Sequence, residues 1–258
     1  MLEAGKAVDL FFDGDPIAAR AALQAMPGAI DVIVQPAATR QKKLIVADMD
    51  STMITIECID ELADYAGIKA QIAEVTERAM RGELDFAEAL KARVALLADL
   101  DEAMIERCRS ERVKIMPGAK ALVRTMAAHG AHCVLVSGGF TRFAEPVGAD
   151  IGFHTIVANV LDIKGGKLAG TVQSPIVDSA RKRHELESAM AQRAIPHALT
   201  MAVGDGANDI PMIEAAGLGV AYHAKEKARA AADAEIRHGD LSALLYAQGI
   251  KREDWAQE

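Results

Sequence analysis

The sequence predicts an α/β protein: a three-layer, doubly wound parallel sheet with a helical cap inserted after the first core strand and a short N-terminal βαβ extension. Three observations predict it. Continuous apolar runs such as Leu44-Ile45-Val46-Ala47 suit strands buried on both faces, and they alternate with segments of helical periodicity. Several of these runs end in polar clusters, at Asp48/Asp50, Ser137-Gly138-Gly139 and Asp205/Asn208/Asp209. A long helix-patterned block follows the first run, as a cap over an active site would.

Residues 1–40 read as a separate short unit, with a strand over 7–12, an Ala-rich helix over 15–26 opened by Asp15-Pro16, and a second strand over 30–34. A polar linker containing Pro36 leads into the main domain, residues 41–258. A βαβ unit of this size cannot bury its own faces, so it must pack on something, and a second subunit in a homodimer is one candidate. After strand 44–47, helices are predicted over 56–65, 70–80, 86–97 and 102–109, from apolar residues at three- and four-residue spacing punctuated by Gly67, Gly82 and Pro117-Gly118. They place the cap at 56–115. Alternation then resumes with helix 119–128 and strand 133–136. Strands 155–162 and 167–172 flank Lys164-Gly165-Gly166 as a β-hairpin. Helix 182–191, strand 200–204 and a short strand within 215–221 complete the pattern.

Composition bounds the function. At 258 residues, half of them hydrophobic and only 4% aromatic, the chain suits one large domain with an aliphatic, Ala-rich core. The net charge of −8 argues against broad nucleic-acid binding but not against a small anionic substrate. Cys58, Cys108 and Cys133 form no C-x-x-C pair, which disfavours a disulfide framework or a zinc site. With no apolar stretch of membrane-span length and no signal-peptide pattern, the expectation is a cytoplasmic protein without a membrane partner.

A strand that stops on an acid delivers it to the carboxyl edge of the sheet, where open α/β folds place their ligands. Asp48 and Asp50, two residues apart, can converge on one centre, one as nucleophile and metal ligand, the other moving protons. Taken alone, D-x-D also fits a metal-sugar site or a plain turn. Ser137 offers a hydroxyl, and its two glycines let backbone N–H groups approach a phosphate, although S-G-G alone is more often a flexible turn. Asp205 could complete a Mg²⁺ site with Asp48 and the backbone carbonyl of Asp50. The plainer reading of Gly204-Asp205-Gly206 is a strand-to-helix turn capped by Asp209. The seven histidines show no metal-ligand spacing and read as surface or core residues.

Taken together, Asp48-Met49-Asp50-Ser51-Thr52, Val136-Ser137-Gly138-Gly139, Lys182 and Gly204-Asp205-Gly206-Ala207-Asn208-Asp209 resemble the four motifs of the haloacid dehalogenase superfamily of phosphatases. Lys182 fits by its distance from Asp205, with Arg181 and Arg183 as fallbacks. Glu57, Met80, Phe86 and Arg93 extend the resemblance to that superfamily's phosphoserine phosphatases, over about residues 43–245. The resemblance implies Mg²⁺-dependent hydrolysis of O-phosphoserine, the last step of serine biosynthesis, through an aspartyl-phosphate. In that scheme Asp48 is the nucleophile and Asp50 the general acid and base. Asp48, Asp50 and Asp205 bind the metal. Ser137, Gly138, Lys182 and Asn208 hold the phosphate, and Asp209 positions Lys182 or a metal-bound water. Glu57 and Arg93 receive the amino and carboxylate groups, while Met80 and Phe86 line the cap. Without the resemblance, Glu57 and Arg93 would read as ordinary exposed helix charges. The rivals are an enzyme for a related amino-acid phosphate, a phosphotransferase, and a non-catalytic sensing or docking protein on the same scaffold.

Overall fold

The computed structural model describes residues 2–256, the Met80 side chain excepted. Helix α1 (Pro16–Gln24) precedes strand β1 (Leu44–Ala47). A helical block follows, made of α2 (Cys58–Tyr65), α3 (Lys69–Met80), α4 (Phe86–Leu96) and α5 (Ala103–Arg112). Next come α6 (Ala119–Ala128), β2 (His132–Phe140), α7 (Thr141–Ile151), β3 (Thr155–Asn159) and the hairpin of β4 (Leu161–Lys164) and β5 (Lys167–Val172). The chain continues through α8 (Ser179–Arg193), β6 (Thr200–Gly204), α9 (Ile210–Ala215), β7 (Gly219–Tyr222), α10 (Glu226–Ala231), β8 (Ala234–Ile236) and α11 (Ala243–Ala247).

Six strands form one parallel sheet in the order β3-β2-β1-β6-β7-β8. Every residue of β1 is buried, because helices cover both faces. Ile45 and Ala47 join a core with residues of α6, α7 and α11, such as Leu122, Phe143 and Leu244. Leu44 and Val46, one residue out of phase, pack instead with Leu186 of α8 and Met212 of α9. Strand order runs outward from β1 in both directions, so the switch point lies between β1 and β6. Crossover connections diverge there and open a crevice beyond the strand ends.

The helical block leaves and re-enters the core through a narrow neck, where Ile54 and Ile115 form an antiparallel bridge. Helix α4 starts at a capping box, with Asp85 accepting from the Glu88 N–H and Glu88 from the Asp85 N–H. The hairpin fastens this block from the side: Asp99 N–H donates to Leu168 O and Leu168 N–H to Leu100 O, both at 2.9 Å. Gly165 and Gly166 make its turn with φ of 59° and 78°, the paired positive values of a type I′ hairpin.

Two expectations need correction. Residues 7–12 and 30–34 form no strands, and α1 stands alone without a βαβ unit. Val8, Leu10 and Phe11 are exposed there, so an apolar pattern found no sheet edge to pair with. The arm is instead tied down by side chains: the Asp31 carboxylate accepts from the N–H groups of Arg237, His238 and Gly239, and Gln35 donates to Ala247 O. Residues 155–162 are not one hairpin strand. β3 joins the main sheet, and the chain turns away at Val160 before β4 begins. The sequence reading also left α7 unassigned, a helix that carries Pro146 in its interior.

Candidate active site

Three adjacent strands, β2, β1 and β6, bring the three polar clusters to one edge. Asp48 and Asp50 follow β1 directly. The Asp48 N–H donates to Val203 O at 3.0 Å, which extends the ladder one step past the strand and pins the residue. Asp48 Oδ1 accepts from the Met49 N–H at 2.7 Å and pairs with Lys182 Nζ at 2.7 Å. Asp50 Oδ1 accepts from the Cys58 N–H at 3.3 Å, which ties the second acid to the start of α2. Gly139 is pressed against Asp50 Oδ2 and Ser137 Oγ, and Ser137 Oγ accepts from the Gly139 N–H at 2.8 Å.

Lys182 is fully buried on the first turns of α8, a helix capped by Asp178. Its Nζ lies 2.7 Å from both Asp48 Oδ1 and Asp209 Oδ1. Asp209 spends its other oxygen on the N–H groups of Asp205 and Gly206, at 3.1 and 3.0 Å. It therefore organises the β6 loop and the lysine together. Gly204 has no side chain because Asp209 fills the space where a Cβ would stand. Arg181 and Arg183 instead pair with Glu185 and Glu187 on their own helix, which leaves Lys182 as the buried cation. Removing the lysine would leave both buried carboxylates without their cation, which costs about 3–5 kcal/mol.

Asp48 and Asp209 share the Lys182 ammonium, with Asp50 and Asp205 close by, and burial together with neighbouring negative charge raises Asp48, Asp50 and Asp205. Burial, then the charge of Asp209, pushes Asp48 well above the usual carboxylate range. Burial and the nearby Glu57 raise Asp50 to about 7. Burial and Asp209 raise Asp205 to about 6. Burial alone would lower Lys182, but Asp209 and Asp48 outweigh it and hold the ammonium charged. Such a set suits a divalent cation. Asp48, Asp205 and Asp209 each offer a carboxylate oxygen, all within 4.8 Å of one another. With Asp209 occupied by Lys182 and two N–H groups, Asp48 and Asp205 are the carboxylates left to bind a metal. Thr52 Oγ1 holds Asp205 Oδ1 at 3.1 Å.

The helical block contributes the remaining expected residues. Glu57 caps α2, and its Oε1 accepts from Ser51 Oγ at 2.6 Å. Ser51 adopts φ of 56°, so the turn between the two acids and Glu57 is held in a left-handed conformation. Arg93 on α4 is half-buried; its burial disfavours the charge while Asp60 and Glu57 favour it, and its Nε donates to Ala89 O. Phe86, at the first turn of α4, reaches over Gly138, its Cζ 3.1 Å from where a Cβ would stand. Asn208 sits in the turn after β6 with its amide folded over Gly206. Met80 ends α3, and its side chain lies outside the described residues. One buried residue was not anticipated: Asn159, whose Nδ2 donates to Gly138 O at 2.8 Å. Its only sequence signal is a lone polar residue at the end of an apolar strand.

The fold and site define a doubly wound α/β protein that keeps an acid pair at the end of its central strand, with a helical block inserted directly after it. The chain belongs to the haloacid dehalogenase-like hydrolase family, whose model matches residues 45–214. It is 46% identical over 208 residues to a phosphoserine phosphatase of Albidiferax ferrireducens, covering 79% of this chain and 88% of that one. A phosphoserine phosphatase of Mycobacterium tuberculosis is 45% identical over 225 residues, covering 86% of this chain and 55% of the relative. This chain thus spans little more than half the length of that relative. A solved structure of a phosphoserine phosphatase in a phospho-aspartyl intermediate analogue superposes with a TM-score of 0.74 at 36% identity, over 80% of this chain and 98% of that one.

Proposed function

We propose that this protein is a phosphoserine phosphatase, releasing serine and phosphate in the last step of serine biosynthesis. The observation that carries the reading is one constellation. A Lys182-paired Asp48 stands beside Asp50 at the end of β1, and Glu57 and Arg93 belong to the helical block that follows. The names of the relatives support the substrate.

Asp48 attacks phosphorus through the carboxylate oxygen not paired with Lys182, and the bond from phosphorus to the serine oxygen breaks. Asp50, raised to about 7, is suited to give its proton to that oxygen near neutral pH. It then takes a proton from the water that attacks the aspartyl-phosphate, and the acyl-phosphate bond breaks to restore Asp48. Ser137, the Gly138 N–H, Lys182 and Asn208 hold the phosphoryl oxygens as charge builds. Asp48, Asp205 and the backbone carbonyl of Asp50 would hold Mg²⁺, which neutralises phosphate charge when bound. Glu57 receives the substrate's ammonium and Arg93 its carboxylate, while Phe86 excludes water.

Residues 2–40 act as an appendage to the phosphatase domain. Their exposed Leu10, Phe11 and Ile17 pair two copies into a homodimer, which light scattering of a Leu10→Ser/Phe11→Ser variant tests. No helix among the described residues is long and apolar enough to cross a membrane, and a cytoplasmic enzyme is the reading that follows.

The test is phosphate release from phosphoserine with Mg²⁺ or EDTA, beside p-nitrophenyl phosphate and Arg93→Ala. The guanidinium contact is worth about 1.5–3 kcal/mol, so KM for phosphoserine should rise roughly 10- to 150-fold in that variant while the aryl ester is unaffected. Equal effects on both substrates would refute the amino-acid assignment.

A further inference from the structure

Strands β2 and β3 pair in register from Val134–Thr155 to Val136–Val157, then resume only at Phe140–Asn159. β2 therefore carries two more residues than β3 over this interval, and the bulge is Ser137-Gly138-Gly139. A bulge strips backbone groups of their ladder partners. The Gly138 carbonyl faces this loss and finds the Asn159 side chain, Nδ2 donating to it at 2.8 Å. The same amide accepts through Oδ1 from the Val177 N–H, also at 2.8 Å. Val177 immediately precedes Asp178, the cap of the helix that carries Lys182. Asn159 is 1% exposed; its bond from the Val177 N–H is buried and its bond to Gly138 O half-buried, so leaving the amide unpaired is costly.

We propose that Asn159 is a positioning residue for phosphoryl transfer. One buried amide locks the bulge that presents Ser137 and the Gly138 N–H to the helix that presents Lys182, fixing the distance between two groups that grip the same phosphoryl oxygens. The proposal rests on the phosphatase reading but not on the amino-acid end of the substrate. A primary amide is needed because one partner is an acceptor and the other a donor, met by two different atoms of the side chain; a carboxylate or alkyl group has no donor, and a hydroxyl donates and accepts through one atom that cannot stand in both places.

The experiment compares wild type with Asn159→Ala and Asn159→Asp, reading kcat and KM on phosphoserine and p-nitrophenyl phosphate, inhibition by orthovanadate and by inorganic phosphate, and thermal melting. Asn159→Asp keeps the acceptor for Val177 and, assayed at a pH where its buried carboxyl is ionised, places an anion against Gly138 O. Expected in both variants are a ten- to hundredfold fall in kcat on either substrate and KM within threefold. Orthovanadate, which adopts the five-coordinate geometry, should inhibit at least tenfold more weakly, with inorganic phosphate changed less than threefold. A purely structural residue would lower the melting temperature and leave kcat per active site and vanadate inhibition unaltered, and that result overturns the proposal. Failure of both variants to fold overturns it equally; if only Asn159→Ala fails, Asn159→Asp decides. A wild type that hydrolyses the aryl ester but not phosphoserine refutes the substrate reading alone, and the same variants on the aryl ester still decide Asn159.

Discussion

Replacing Gly139 with alanine moves Asp50 without touching its charge. Gly139 does not have a positive φ, so alanine meets no backbone strain there. The new Cβ would stand 2.8 Å from Asp50 Oδ2, 3.0 Å from Ser137 Oγ and 3.1 Å from Met49 Cε. Carbon and oxygen settle at about 3.3–3.6 Å, so the carboxylate must retreat by roughly 0.5–0.8 Å. A displacement of about 1 Å costs about 10²-fold in rate. A fall in kcat on phosphoserine of roughly tenfold, about 1.4 kcal/mol, is therefore expected. Overpacking should cost a further 1–3 kcal/mol of stability, roughly 2–12 °C in Tm for a chain of this size. The assay is rapid mixing with p-nitrophenyl phosphate beside steady-state turnover of phosphoserine. Nitrophenolate leaves without a proton, so the first-turnover burst should survive while hydrolysis of the aspartyl-phosphate, which needs Asp50 as a base, slows. Phosphoserine turnover within twofold of wild type in the folded variant, or loss of the burst with the second step unchanged, would refute the reasoning.

Asp48→Asn should abolish turnover and leave melting in EDTA at or above that of wild type, because it removes one charge from a crowded buried set; full activity would sink the mechanism. Lys182→Met strands Asp48 and Asp209 without their cation and should destabilise the metal-free protein by about 3–5 kcal/mol, read by urea denaturation. Asp50 and Asp205, raised from 3.8 to about 7 and about 6, bind more protons folded than unfolded. Their contribution to stability in EDTA is fully present below 3.8 and lost as pH rises through 6 to 7. Mg²⁺ at a hundredfold excess over its Kd should add about 2.7 kcal/mol, roughly 5–10 °C in Tm, at pH 8. That increment should shrink toward pH 5 as protons compete for the carboxylates; an equal increment at both pH values contradicts the assignment.

Much of this protein was legible one residue at a time. The apolar run 44–47 reads as a strand covered on both faces, and a strand of that kind delivers its closing acids to the sheet's carboxyl edge. Side-chain periodicity is local, so the helical block could be read before any packing was known. The N-terminal arm departs from its pattern for the complementary reason: 7–12 and 30–34 are strand-like in sequence, but a strand exists only when another backbone pairs along it, and here a single bridge between Ala7 and Glu3 is all that forms. Lys182 stood among three basic neighbours in Arg181-Lys182-Arg183-His184, and spacing alone favoured it. Burial separated it from Arg181 and Arg183, which reach acids on their own helix. Asn159 gave almost no signal, because its role depends on a bulge in one strand and the start of a helix far along the chain. The sequence by itself determined which groups the chemistry has and the order in which strands deliver them. Only the tertiary structure decided that Asp48 and Asp209 share Lys182 and that the Asn159 amide ties Gly138 to Val177, since burial and long-range hydrogen bonds belong to the folded arrangement and to no local segment.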